Sequence, residues 1–247
     1  MDSILVVNNL KKKYGNFLAV NDINFSINKK ECVALLGKNG AGKTSTLKMI
    51  YSSCSITSGT IEILGQNVVK NPKTTKRSIG VVSQDDLLDY SLNVIENMIA
   101  HAICYGVKTK TAKEKSGELL KFVGLGELLN KKVYELSGGM RRKLVLARSL
   151  INDPKLIILD EPTTGLDIQS RHAFWDKLDE LKRNDIAILL TSHYLDEVER
   201  LAERILIINN GKIVDEGTKE SLPKKYGFDN LEKVFLHLTS NNEVSNV

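Results

Sequence analysis

Long apolar runs are missing from this 247-residue chain. No uncharged stretch approaches the ~18 residues that cross a bilayer as a helix, and the densest patches, residues 156–159 and 186–190, are the size of strands. The opening Met1-Asp2-Ser3 leads straight into an alternating stretch, without the basic start and apolar centre of a secretory signal. Cysteine is scarce: Cys32, Cys54 and Cys104 are odd in number, far apart and in no zinc or redox spacing, so reduced thiols are expected. With four prolines and no Gly/Ser-rich tract there is no place for a flexible linker, and no internal repeat is visible. Apolar periodicity runs nearly from end to end, which excludes disorder. These absences predict a soluble chain that stays inside the cell, long enough for one large domain or a domain with an inserted lobe.

Charge of one sign is not abundant either. Thirty-five Lys and Arg against thirty Asp and Glu leave +5, with a pI near 8.9. This mild, dispersed excess suits an anionic ligand or an inner-leaflet neighbour and argues against nucleic acid as a partner. The run Lys11-Lys12-Lys13 reads as a solvated edge.

What is present divides into three textures. Ile23, Phe25 and Ile27 alternate with Asn24, Ser26 and Asn28, the period-2 pattern of a half-wet antiparallel strand. Residues 32–36 are almost wholly apolar, as expected of a strand buried on both faces, and residues 61–64 and 79–83 read as further strands. From 92 to about 129 apolar residues recur at helical spacing, for example Val94, Met98 and Ala102; this predicts a helical lobe, about 90–150, inserted in an α/β core. Beyond it helices (144–150, 168–181, 195–201) alternate with strands (156–159, 186–191), the rhythm of βαβ units and a parallel sheet. Residues 205–214 read as a hairpin turning at Asn210-Gly211, 229–238 as a last amphipathic helix and 239–247 as a polar tail.

The strongest local signal is Gly37-Lys38-Asn39-Gly40-Ala41-Gly42-Lys43-Thr44, followed by Ser45: a complete G-x-x-x-x-G-K-[ST] between an apolar strand and a helix. Its glycines let successive N–H groups point at phosphate oxygens, and the helix start adds its positive end. Lys43 reaches the β- and γ-phosphates in such a loop, and the Thr44 hydroxyl ligates Mg²⁺. A metal-holding carboxylate is then required at the end of a neighbouring strand, and Asp160 after residues 156–159 supplies it, directly or through water. Glu161, next in line, would orient or deprotonate the attacking water. A second glycine pair, Ser137-Gly138-Gly139, precedes another helix and forms another anion-accepting N-terminus. Residues alone leave open how two phosphate-facing surfaces in one chain meet.

The set as a whole resembles an ABC transporter ATP-binding subunit over residues 4–238, within a single domain of 1–238. Gly37–Thr44 resembles Walker A, residues 136–140 the signature, residues 156–160 Walker B, residues 165–167 the D-loop with Asp167, Gln84 the Q-loop, His193 the switch histidine and Tyr14 the aromatic that stacks on adenine. Met140 stands where glutamine usually ends the signature, and Ser83 where proline often precedes the Q-loop glutamine. The resemblance implies a P-loop core with a mostly parallel sheet, an N-terminal antiparallel β subdomain and an inserted α-helical subdomain. It implies ATP and Mg²⁺ as cofactors, the metal held by Thr44, Gln84 and Asp160, and catalysis by Glu161, His193 and Gln84. It further implies a head-to-tail dimer, with itself or a paralogue, in which Ser137, Gly138 and Gly139 meet ATP from across the interface.

A transmembrane permease would be the partner, docked by the segment after Gln84 (Asp85, Leu87, Leu88, Tyr90), and the subunit would sit on the inner face of the cell membrane. Residues 171–175, 191–197 and 231–235 resemble the nodulation-factor and daunorubicin-resistance exporter branch. The rival reading is an ABC-type switch acting without transport. A GTPase is excluded by the lack of an N-K-x-D motif. His101, His172, His237, Phe174 and Trp175 read as structural.

Overall fold

The computed structural model describes residues 3–240. The chain opens with two long antiparallel strands, β1 (Ser3–Tyr14) and β2 (Phe17–Asn28), and then enters β3 (Cys32–Leu36) and α1 (Lys43–Ile50). Next come β4 (Ser58–Ile63), β5 (Gln66–Asn67), α2 (Pro72–Arg77) and β6 (Ile79–Val82). Between β6 and β7 (Leu156–Asp160) the chain forms α3 (Val94–Cys104), α4 (Thr109–Phe122) and α5 (Gly138–Ser149). It continues through α6 (Ile168–Arg183), β8 (Ala187–Ser192), α7 (Leu195–Leu201), β9 (Arg204–Asn209), β10 (Lys212–Gly217), α8 (Ser221–Tyr226) and α9 (Leu231–Ser240). Residues 1, 2 and 241–247, which carry the start of the chain and most of the expected polar tail, lie outside the described residues.

Two sheets form the frame. β2-β1-β4-β5 is antiparallel throughout, and β10-β9-β3-β8-β7-β6 is parallel except for β10, which pairs antiparallel with β9. The pleat of the second sheet divides its side chains between two cores. Val33, Leu35, Leu156, Ile158, Leu189 and Ile208 join the core shared with β1, β2, β4 and α1. Their alternate neighbours Cys32, Ala34, Ile157, Leu190 and Ile207 join the core shared with α3 to α9. With both faces covered, β3, β7 and β8 are buried at every position, which is why they read as apolar runs rather than alternating ones.

Several boundaries differ from the sequence reading, each for a local reason. α5 begins at Gly138, not 144, because the Ser137 hydroxyl accepts from the Met140 N–H and caps it there. α3 starts at Val94 under a reciprocal Asn93/Glu96 capping box. α9 runs to Ser240, so Thr239, expected in the tail, is buried, its hydroxyl donating to the Phe235 carbonyl. Lys12 is no solvated edge: it is 6% exposed, inside β1. None of the described helices is long and apolar enough to cross a membrane.

Candidate functional site

The loop between β3 and α1 is wedged against two neighbours, which explains its glycines. A Cβ on Gly37 would lie 2.6 Å from the Ile208 carbonyl on β9, and one on Gly42 2.6 Å from the Ala19 carbonyl on β2. Gly42 also has φ +106°, in the left-handed region open to glycine. The turn between β9 and β10 completes the clamp, with the Gly211 N–H donating to the Ala41 carbonyl and the Asn21 N–H to the Gly211 carbonyl.

This loop forms one wall of a cavity of about 390 Å³. Tyr14, Asn39, Gly40, Gly42, Lys43, Thr44, Ser45, Gln84 and Glu161, all expected from the sequence, line it together. Phe17 and Ala19 line it as well and were not anticipated. Phe17 faces Tyr14 across a two-residue turn, 64% exposed, and an exposed aromatic beside a hairpin turn was the available signal.

At the floor the charged groups converge. The Lys43 ammonium donates to the carbonyls of Gly37 (2.7 Å) and Lys38 (3.2 Å) and lies 3.6 Å from Glu161 Oε1. Burial pulls the Lys43 pKa below its ordinary value, with Glu161 and then Asp160 opposing the shift. His193 Nδ1 is 3.2 Å from the other oxygen, Oε2, of the same Glu161. Glu161 adopts φ +47°, a left-handed conformation uncommon outside glycine. Its N–H donates to the Thr191 carbonyl (3.2 Å) and hydroxyl (3.1 Å), which hold it there.

The sheet order corrects one expectation. β7 does not neighbour β3, because β8 runs between them. The buried Asp160 therefore reaches across the top of β8: its Oδ1 accepts from the Thr191 hydroxyl (2.7 Å) and from the Thr44 hydroxyl (3.3 Å). Thr191 is thus a site residue that its apolar strand concealed.

Arg142 is a further residue beside the site that the sequence reading does not single out. It is buried, and its Nε donates to the Pro162 carbonyl (2.5 Å), Nη1 to that of Ser83 (2.6 Å) and Nη2 to that of Asp160 (3.3 Å). It ties α5 to the chain on both sides of Gln84 and Glu161. The signal was present: residues 142, 145, 146 and 149 form the buried i, i+3, i+4, i+7 stripe of α5, with the arginine on it.

Ser137, Gly139 and Asp167 lie outside the cavity, and Gly138 lines a separate hollow with Gln84, Arg141 and Gly165. Asp167 caps α6, accepting from the Ser170 N–H (2.8 Å) and hydroxyl (2.7 Å), bonds that hold its carboxyl below the usual range. Ser170 Oγ stands 2.5 Å from where a Cβ on Gly139 would lie, so α5 and α6 present their N-termini side by side. In the expected docking segment Leu87 and Tyr90 are exposed, but Leu88 is buried in the core and offers no docking surface, contrary to the sequence reading.

A glycine-rich loop between a buried parallel strand and a helix, facing a carboxylate pair two strands away, defines a P-loop nucleoside triphosphatase. The ABC transporter family profile matches residues 20–164. The Nod factor export ATP-binding protein I of Burkholderia orbicola (strain AU 1054) is 42% identical over 214 residues, 87% of this chain and 70% of that protein. Among solved structures, the ATP-binding subunit of an ABC transporter matches with a TM-score of 0.86 at 29% identity, covering 95% of this chain and 99% of the other. A dimeric ATP-binding cassette in a post-hydrolysis state bound to ADP and Pi gives 0.78 at 25% identity, over 87% and 98%. The chain belongs to the ABC transporter family, as an ATP-binding subunit with ATPase activity.

Proposed function

We propose that this chain hydrolyses ATP as one of two head-to-tail nucleotide-binding subunits, and that closure and release of the pair drive export through a separate permease at the inner face of the membrane. The observation that carries the hydrolytic reading is the convergence of the Lys43 ammonium and the His193 imidazole on opposite oxygens of Glu161 beside the P-loop. Tyr14 takes the adenine on its ring face. The loop N–H groups of 38–45 and Lys43 take the phosphates, and a phosphate oxygen replaces the carbonyls that Lys43 now satisfies. Glu161 Oε2 accepts the proton of the attacking water, and His193, 3.2 Å away, stabilises the charge that builds on the γ-phosphate side.

Thr44, Gln84 and Asp160 are oxygen donors suited to Mg²⁺, and Thr191 fixes the Asp160 carboxylate for that task. Among the described residues no cluster of three or more His, Cys, Asp or Glu could hold a metal unaided; this fits an ion that completes its shell with phosphate and water. Bound there, Mg²⁺ would neutralise charge on the β- and γ-oxygens.

The signature residues support the dimer. Ser137, Gly138 and Gly139 stand outside their own subunit's cavity at a capped helix N-terminus, and in the head-to-tail arrangement they meet the partner's γ-phosphate. The dimeric state of a similar cassette agrees with this. Export is supported by the relative named for it, and the exposed Leu87 and Tyr90 after Gln84 are the contact offered to the permease.

Glu161→Gln tests the scheme. ATP binding should persist while turnover falls about 10²–10⁴-fold, the usual contribution of a positioned base, and an ATP-dependent dimer should accumulate on size exclusion with light scattering. Wild-type turnover in that variant, or full-rate hydrolysis by a crosslinked monomer, would overturn it.

A further inference from the structure

Lys12 is the odd member of its lysine run. Lys11 makes a 3.8 Å contact with Asp22 at the surface and Lys13 is exposed, but Lys12 between them is 6% exposed. A buried ammonium needs compensation, and Lys12 finds it at two places. Its Nζ donates to the Ser55 carbonyl (2.6 Å) and lies 3.2 Å from the Ser55 hydroxyl. The same Nζ stands 4.7 Å from the centre of the Tyr14 ring, within cation–π range. The two residues are two apart on β1 and share a face of the strand. Tyr14 lines the P-loop cavity and Lys12 does not, so the ammonium touches the ring from outside the cavity lining.

Ser55 belongs to the segment that leaves α1, the helix whose other end is the P-loop. That segment is tied to β1 by further bonds, Thr57 N–H to the Lys11 carbonyl (3.1 Å) and Lys13 N–H to the Thr57 hydroxyl (3.0 Å). The Tyr14 hydroxyl also stands 4.0 Å from Cys54 Sγ. The aromatic and the phosphate loop, which line the same cavity, are thereby referred to one frame. An aromatic held in advance costs less ordering when a base stacks on it.

We infer that Lys12 is a positioning residue for the nucleobase: anchored on Ser55, its ammonium braces Tyr14 so that the ring presents its cavity side to adenine at a set distance from the P-loop. This rests on the assignment of Tyr14 as the base platform. Lys12→Met keeps most of the length of the side chain and removes the charge; Lys12→Arg keeps the charge and hydrogen-bond donors, now on a planar guanidinium.

The experiment is a titration of the full chain with ATP and with inorganic tripolyphosphate, which has no base, with thermal melts to confirm folding. Lys12→Met should raise the Kd for ATP about three- to tenfold, the range of a partly buried cation–π contact, and leave the Kd for tripolyphosphate unchanged. Lys12→Arg should restore most of the loss, and in a Tyr14→Ala background Lys12→Met should add nothing. If Lys12→Met does not fold, Lys12→Gln carries the same comparison. Equal weakening of ATP and tripolyphosphate, or an undiminished effect in the Tyr14→Ala background, overturns the inference in favour of a general structural role. A Tyr14→Ala chain that binds ATP normally removes the base platform itself, whereas Tyr14→Ala weakening ATP while Lys12→Met does not refutes only the part played by Lys12.

Discussion

Replacing Arg142 by methionine removes a buried guanidinium and keeps most of the volume. In the structure this group makes two short bonds, 2.5 Å to the Pro162 carbonyl and 2.6 Å to the Ser83 carbonyl, with longer contacts to Asp160, Glu161, Gln84 and Asp86. Hydrogen bonds to a charged group contribute about 1.5–3 kcal/mol each, and the stranded carbonyls keep their desolvation cost. The methionine recovers part of this through packing and escapes the burial penalty that pulls the Arg142 pKa down. The net loss expected is about 3–5 kcal/mol. In a chain of this size that corresponds to a melting temperature lower by about 10 °C.

Differential scanning calorimetry or a far-ultraviolet melt reads this directly. Arg141→Met is the control, since Arg141 is partly exposed and its strong bond is a single one to the Leu136 carbonyl; its shift should be much smaller. Because Arg142 holds the carbonyls flanking Gln84 and Glu161, ATPase turnover should fall more than ATP affinity. A melting temperature within about 2 °C of wild type, less than 1 kcal/mol at this size, with unchanged turnover, would refute the view of Arg142 as the tie between α5, the Gln84 segment and β7.

Lys43→Ala should weaken ATP binding about 10–100-fold, the loss of one or two charge-assisted bonds to phosphate, read by equilibrium titration. Leu88→Asp should lower stability by about 2–4 kcal/mol through burial of a charge, so a transport defect in it says nothing about docking. Leu87→Asp, at an exposed site, should leave the melt unchanged and is the fair test of permease contact. Burial, with Arg148 adding to it, holds His101 at about 4 against an ordinary 6.5. The unfolded chain therefore binds the proton first, so stability should fall as pH drops from 6.5 towards 4 and level off below. His101→Gln should flatten that slope in urea titrations at each pH.

Much of the fold and site was legible because the physics is local. The P-loop needs three glycines in eight residues to turn its amides inward, the strands buried on both faces are apolar up to the polar residues at their C-terminal ends, and the capped starts of α5 and α6 need Ser137 and Asp167. Spacing therefore determined where phosphate contacts, carboxylate pair and helix N-termini lie along the chain. Other features depend on what crosses in space. That β8 runs between β3 and β7, and so gives Thr191 to Asp160, follows from sheet order, to which no run of residues is sensitive. A lysine looks the same in sequence whether solvated or buried, so the role of Lys12 appeared only when the Ser55 carbonyl arrived to receive it. The helical spacing put Arg142 on the inner stripe of α5, but its partners, the carbonyls of Pro162 and Ser83, came from elsewhere in the chain. Leu88 took its place in the core rather than on the surface for the same reason: burial is decided by the neighbours that folding supplies. The residue types alone determined a triphosphate site; only the tertiary structure decided which side chains hold it rigid, because that depends on distances between segments far apart along the backbone.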